Sequence, residues 1–135
     1  MFPLTLQTQP TQITCVHTCL AMALRVPVAQ VIDRYGPQPM SQQALHAALN
    51  ACGFTWNAFV YGALIAPGWH FLTVPSLNIP GGNHMILCHN DPEAGCSGLT
   101  VLDPSFGKTY APDGSTLRSW SHPILFIPGG TLPRS

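Results

Sequence analysis

Charged residues are scarce in this sequence. Asp, Glu, Lys and Arg together make up 7% of the 135 residues, whereas an ordinary soluble domain has about a quarter. Acidic and basic side chains are equal in number, so the formal net charge is zero. A chain without a positive excess has no electrostatic attraction for nucleic acid or for an anionic membrane surface. We therefore expect no nucleic acid and no membrane among its partners.

The sequence also has no apolar run long enough to cross a bilayer. Its most apolar part, FVYGALIAPGWHFLTV, is interrupted by glycine, proline and histidine and is shorter than the about 20 residues that a spanning helix needs. The first ten residues, MFPLTLQTQP, have neither the basic region nor the apolar core of a signal peptide. These absences predict a cytoplasmic protein.

The cysteines form no recognisable disulfide framework. There are five, an odd number, and their spacings match no disulfide-rich scaffold. Reduced thiols are typical of cytosolic proteins. The length and an apolar content of 46% predict one domain with a real core over residues 1–135, ending in a flexible tail at 128–135, PGGTLPRS.

Periodic apolar residues and capping signals predict three short helices in the first part of the chain. Thr14 and Ser41 are good N-caps, and Pro27 suits the start of a helix. Gly36 and Gly53 are suitable helix stops. The predicted helices are Cys15–Leu24, Val28–Tyr35 and Gln42–Ala51.

After residue 53 the sequence changes to short apolar, β-branched and aromatic runs between turn signals, a pattern typical of strands. The runs are FTWNAFV, WHFLTV, HMILC, LTVLD and HPILFI. An N-terminal helical half followed by such a set of strands predicts an α+β domain with an antiparallel β-sheet half.

Cys15 is a candidate nucleophile because it falls in the first turn of a predicted helix. There the positive end of the helix dipole and the unpaired N–H groups favour the thiolate, which is the attacking species. The other interpretation, a buried structural thiol, is the commoner role for a cysteine. We expect Cys19 to pack beneath the site, on an inward stripe of this helix formed by Cys19, Leu20, Ala23 and Leu24.

His84 is the candidate base, and Asp103 the candidate group that orients it. His84 opens the run HMILC after the tight turn PGGN, and Asp103 ends the run LTVLD. If these strands pair antiparallel with Cys88 opposite Leu99, His84 lies opposite Asp103, with Cβ atoms ~5 Å apart. A capping histidine and a turn-starting aspartate remain alternatives for each residue alone.

Acyl transfer also requires donors for the oxyanion. The side-chain NH2 of Gln9, on the segment before the nucleophile's helix, is one candidate, together with the backbone N–H of Cys15. Gln7 and Gln12 are rivals, and polarity alone does not choose among the three.

Several of these motifs together resemble the papain-like C39 peptidase group. The first motif is Gln9 and Cys15 separated by five residues. The others are CLAMAL, VPSLNIPGGNHMIL and TVLDPSFGKTY. The likeness covers roughly residues 7 to 110. It implies a papain-like fold, a cysteine peptidase acting on a peptide or isopeptide bond without a cofactor, and a peptide or protein substrate.

The resemblance also implies roles for individual residues: Cys15 as nucleophile, His84 as base, Asp103 as its orienting group and Gln9 as oxyanion donor. The family usually has glycine directly after the nucleophile, whereas this chain has Val16, which would narrow the cleft. The exporter that accompanies the best-known members is absent from this sequence.

Two other kinds of function fit parts of the sequence. Six residues could ligate a metal, namely Cys15, His17, Cys19, Cys88, His89 and Cys96, but their spacings match no ordinary zinc motif, and we expect no metal. A papain-like domain can also lack peptidase activity and serve as a protein-binding module, a deamidase or an acyltransferase. The oligomeric state is left open.

Overall fold

The computed structural model describes residues 4–58, 66–93 and 98–133. Three helices come first, with the predicted bounds: α1 (Cys15–Leu24), α2 (Val28–Tyr35) and α3 (Gln42–Ala51). Five strands follow within this part of the chain. They are β1 (Trp56–Ala58), β2 (Gly68–Pro75), β3 (Asn83–Asn90), β4 (Leu99–Leu102) and β5 (Ser121–Phe126). The α+β prediction is confirmed.

Capping and helix-breaking residues explain most of the helix ends. Pro27 precedes α2, and Gly36 ends it with a φ of 85° that favours glycine. Ser41 caps α3 as predicted, because its Oγ accepts a hydrogen bond of 3.1 Å from the backbone N–H of Ala44. The predicted cap by Thr14 is wrong: its hydroxyl donates to the carbonyl of Thr11 at 3.1 Å and makes no cap bond to α1.

Helix α1 is buried on all sides rather than along one stripe. Every residue from 17 to 24 is buried, including His17 and Thr18. The prediction of a single inward stripe is therefore wrong, because α1 packs against α2 and also against β3. A helix that is apolar around most of its circumference is typical of such a central position.

The strands form one antiparallel sheet in the order β1-β5-β2-β3-β4. One face packs against the helices through Phe71, Leu87 and Phe126. The other face carries a smaller apolar cluster that includes Leu72 and Ile86. The sheet thus separates two apolar clusters, and α1 lies on the side of the larger one.

The pairing of β3 with β4 differs from the predicted register by two residues. Asn90, rather than Cys88, lies opposite Leu99. Extending this ladder would place Asp103, which follows β4, opposite Ile86 rather than His84. A shift of two residues preserves the face to which each side chain points, so His84 and Asp103 remain diagonal neighbours on one face.

The chain after β5 is anchored to the end of α3 over its described part. The N–H of Thr131 donates to the carbonyl of Cys52 at 2.8 Å, and Leu132 packs against the larger apolar cluster. The sequence predicts a flexible tail over 128–135. These contacts tie the segment down as far as Leu132, and residues 134–135 lie outside the described part.

Candidate active site

The thiol of Cys15 lies half-buried at the first residue of α1. Burial alone would raise its pKa, but a hydrogen bond with His84 and the backbone N–H groups of Met85 and Val16 outweigh it, so the pKa is lowered from its ordinary value. These contacts all stabilise the thiolate. Cys15 therefore has the electrostatic environment of a nucleophile.

His84 and Asp103 are in direct contact. The Nε2 of His84 lies 2.6 Å from Oδ1 of Asp103, and the two side chains are 11% and 3% exposed. Burial disfavours the charged imidazolium and so lowers the pKa of His84. The interactions with Asp103 and Cys15 outweigh burial and raise this pKa to about 9. Since Nε2 is engaged with Asp103, Nδ1 is the ring nitrogen left to exchange a proton with Cys15.

Backbone donors hold the carboxylate of Asp103 in place. Its Oδ1 also accepts from the N–H of Ser105 at 2.9 Å, and its Oδ2 accepts from the N–H of Tyr110 at 2.6 Å. Burial raises the pKa of Asp103, but the bonds from His84 and from these two amides lower it further than burial raises it. The carboxylate therefore stays ionised and keeps a fixed orientation toward the imidazole.

The backbone of Met85 joins the helix to the sheet at this point. Its N–H contributes to stabilising the Cys15 thiolate, and its carbonyl accepts from the thiol of Cys19 at 3.4 Å. The paired part of β4 covers only Leu87–Asn90 of β3, which leaves Met85 beyond the end of that ladder. The cysteine side chains of α1 therefore bond to the backbone N–H and carbonyl of Met85, which β4 does not pair.

Cys19 has the structural position that the sequence predicted. It is fully buried, and burial raises its pKa well above the ordinary value. We expect Cys19→Ala to lower the free energy of unfolding by about 1 kcal/mol or more and to leave turnover measurable. Denaturant unfolding measures the first effect, with Cys52→Ala, another buried thiol, as the comparison. Loss of turnover in a folded Cys19→Ala protein would reverse the roles assigned to Cys15 and Cys19.

The three glutamines have different environments. Gln7 is structural, because its Nε2 donates to Val26 and its Oε1 accepts from the N–H of Val28 at the start of α2. Gln9 is 6% exposed, its Nε2 donates to the carbonyl of Thr11 at 2.8 Å, and its backbone N–H donates to the carbonyl of Pro104 at 2.7 Å. Gln12 lines the cleft beside Cys15.

The bond to Thr11 uses one of the two N–H groups on Nε2 of Gln9, and Oε1 has no hydrogen-bond partner among the described residues. We expect Gln9→Ala to lower kcat about a hundredfold, the usual loss for one oxyanion donor, and Gln12→Ala to have a much smaller effect. Single-turnover kinetics of both variants compare them directly. The reverse order would assign the oxyanion donor to Gln12.

A cleft of about 390 Å³ opens beside Cys15 and His84. Val16 lines it, as the sequence predicted, whereas His17 is buried and its Nε2 contacts the carbonyl of Gly36 at 2.7 Å. Among the described residues, those that line the cleft include no Asp, Glu, Lys or Arg. They are Gln12, Ile13, Cys15, Val16, Pro39, Met40, Gln42, Thr73, Ile79, Asn83, His84, Met85 and His122.

Sequence reasoning missed one wall of this cleft. Met40, Thr73 and His122 come from a loop, from β2 and from β5. His122 has a φ of 51°, and the pairing of β2 with β5 shifts register beside it. A bulge of this kind redirects side chains. The only signal in the sequence is that His122 precedes a proline.

The described residues among the candidate metal ligands form no metal site. In residues 4–58, 66–93 and 98–133, no group of three His, Cys, Asp or Glu side chains could hold a metal ion. Cys88 is buried in β3, and burial raises its pKa to about 12. His89 packs against Trp69, with ring centroids 4.9 Å apart and ring planes tilted by 57°. Cys96, the remaining candidate ligand, lies outside the described residues.

No helix of the described chain is by itself long and apolar enough to cross a membrane; α1 and α2 reach the required length only as a pair bent by 118°. A scan against protein-family models finds no match for this chain, and a search of curated proteins finds none either.

Proposed function

We propose that this chain is a cysteine peptidase with a papain-like fold, which cleaves a peptide or isopeptide bond. The observation that carries the proposal is the arrangement of three side chains: Cys15 at a helix start lines the same cleft as His84, and Nε2 of His84 lies 2.6 Å from Asp103. Nucleophile, base and orienting acid in this order are the arrangement that thiol catalysis requires.

The proposed reaction has two steps. The Sγ of Cys15 attacks the carbonyl carbon, the C–N bond breaks, and the imidazolium of His84 gives its proton to the leaving amine. Water then attacks the thioester while His84 accepts a proton, the C–S bond breaks, and the carboxylic acid leaves. Gln9 and the backbone N–H of Cys15 are the proposed donors to the oxyanion of both tetrahedral intermediates.

Two features of the molecule support a peptide-like substrate. Among the described residues, no Asp, Glu, Lys or Arg lines the cleft around Cys15 and His84, and the cleft has the apolar character with a few polar groups that is typical of binding sites. The resemblance of the motifs around Cys15, His84 and Asp103 to papain-like C39 peptidases points the same way. The four described cysteines are all free, which agrees with a proposed cytoplasmic location.

The pKa of His84 predicts an alkaline limit to turnover. The imidazolium must give a proton to the leaving amine, so kcat/KM is expected to fall above pH 9, the value to which the pKa of His84 is raised. Because the folded protein binds this proton more tightly than the unfolded chain does, protonated His84 also contributes to the free energy of unfolding. This contribution is complete below about pH 6.5, the ordinary pKa of histidine. That contribution is lost as the pH rises through about 9. A pH–rate profile measures the first effect, and a flat profile from pH 8 to 10 would contradict the assigned role of His84.

Covalent probes test the proposal at the thiol itself, whatever the natural substrate is. A panel of peptides and ubiquitin-like proteins with electrophilic C-termini should form an adduct at Cys15, which peptide mapping by mass spectrometry locates. Cys15→Ala should form none, and Cys52→Ala should react like the wild type. Adducts distributed over the other cysteines, with Cys15 unmodified, would refute the proposal.

A further inference from the structure

The cleft continues past His84 into a second lobe of about 200 Å³. It shares Gln12, Ile79, Asn83 and His84 with the first lobe, the 390 Å³ cleft that contains Cys15. Cys15 does not line the second lobe. His84 thus lines both lobes, whereas Cys15 lines only the first.

The second lobe has mostly polar lining residues, together with two exposed apolar side chains. Phe106 and Ile79 line it, and they are 58% and 50% exposed, which makes them two of the most exposed large apolar residues in the described chain. None of the described residues that line the lobe is Asp, Glu, Lys or Arg. Exposed apolar side chains at the edge of a cleft indicate contact with a ligand.

The loop that carries Phe106 is held in place. The Nδ2 of Asn78 donates to Oγ of Ser105 at 2.9 Å, and its Oδ1 accepts from the N–H of Lys108 at 2.8 Å. A Cβ at Gly107 would lie 2.6 Å from this Oδ1, so the loop and the turn that carries Ile79 are in close contact. The second lobe is thus preformed, which lowers the entropic cost of binding.

We propose that the second lobe binds the leaving-group half of the substrate and selects an uncharged, apolar residue there. This inference rests on the proposed function. After Sγ attacks, the acyl half is bonded to Cys15 and stays in the first lobe. The leaving amine takes its proton from Nδ1, the ring nitrogen that faces Cys15. The chain attached to this amine then continues along the cleft past His84, where the second lobe begins.

The inference also separates two classes of reaction. A deamidase releases ammonia, which has no side chain and needs no lobe beyond the imidazole. A peptidase releases an amine that continues as a chain, and the second lobe offers that chain an apolar surface at Phe106. The geometry therefore favours cleavage within a chain over deamidation.

Acyl transfer to added amines tests this binding site. N-acetylglycine p-nitrophenyl ester acylates a reactive thiol: the C–O bond breaks, p-nitrophenolate leaves, and a thioester forms at Cys15. An added amine then attacks the thioester and loses a proton to His84, the C–S bond breaks, and the thiolate of Cys15 is released, in the reverse of the acylation by an amide. The ratio of amide to acid products reports how well each amine occupies the second lobe.

We expect leucinamide and phenylalaninamide to capture the acyl group about tenfold better than lysinamide or glutamic acid α-amide at equal concentration, because apolar surface is buried against Phe106. Phe106→Ala should reduce this preference to about twofold or less, and Phe106→Leu should keep most of it. Ile127→Ala is the matched control, since Ile127 is also 58% exposed and lines neither lobe.

The outcomes distinguish the inference from the proposed function. A p-nitrophenolate burst from the wild type, absent in Cys15→Ala, with equal capture of all four amines would overturn the inference and leave the proposed function standing. An apolar preference that survives in Phe106→Ala would overturn it as well. No burst from the wild type would remove both the proposed function and the inference.

Discussion

Cys15→Ala is expected to reduce turnover about 10⁴-fold or more while the protein remains folded. The thiol supplies the electron pair that attacks the carbonyl, and no neighbouring group can replace it. The side chain lies half-buried at the mouth of the cleft, so its removal leaves little unfilled volume. Product formation on a verified substrate measures the first effect, and a thermal melt by circular dichroism measures the second.

Cys52→Ala is the control for this result, because Cys52 is a buried thiol at the end of α3 and lines neither lobe. It is expected to lose stability and keep its activity per folded molecule. If Cys15→Ala kept wild-type activity on the same substrate, the whole assignment of the site would be wrong.

The second large effect is expected at the base. His84→Ala should lower kcat/KM about 10²- to 10⁴-fold, the range of general acid–base catalysis. Asp103→Asn should lower it less, because an amide oxygen can still accept from Nε2 of His84 although it cannot stabilise the imidazolium. Steady-state kinetics of both variants give the order of the two losses.

A pH profile distinguishes an electrostatic role of Asp103 from a merely structural one. The bond to Asp103 is the largest of the contacts that raise the pKa of His84. The alkaline limb of the Asp103→Asn profile should therefore move from about pH 9 toward the ordinary pKa of histidine, about 6.5. An alkaline limb at its wild-type position would show that Asp103 does not act through the charge of His84.

The helix bounds could be predicted because their signals are local. Pro27, Gly36 and Ser41 act on the backbone within one turn of their own positions. The cap at Thr14 was not predictable, since its hydroxyl could reach either the helix or the preceding turn. The structure has it bonded to Thr11, and such local alternatives compete closely in free energy.

The contact between His84 and Asp103 was predictable from the alternation of side chains, although the register was not. Alternation fixes the face of each residue in a strand pair, and both residues point to the same face. The exact partners depend on the connection between β3 and β4, whose turn type the sequence does not reveal. An error of two residues therefore left the predicted contact, now at 2.6 Å, in place.

The walls of the cleft could not be predicted in the same way. Met40, Thr73 and His122 are separated by more than 30 residues from one to the next, and only the assembled sheet and helices bring them together. Phe106 likewise gains a role from its position beside His84. Residues of this kind have no spacing rule, because their proximity is a property of the tertiary fold.

Site-resolved alkylation is the most direct test of the central claim that Cys15 is an activated nucleophile. With iodoacetamide at pH 7, we expect Cys15 to react at least about tenfold faster than the other cysteines, because its pKa is lowered. Mass spectrometry of peptides sampled over time gives each rate, and His84→Ala should remove the excess. Equal, slow labelling of all five cysteines in the wild type would contradict this claim.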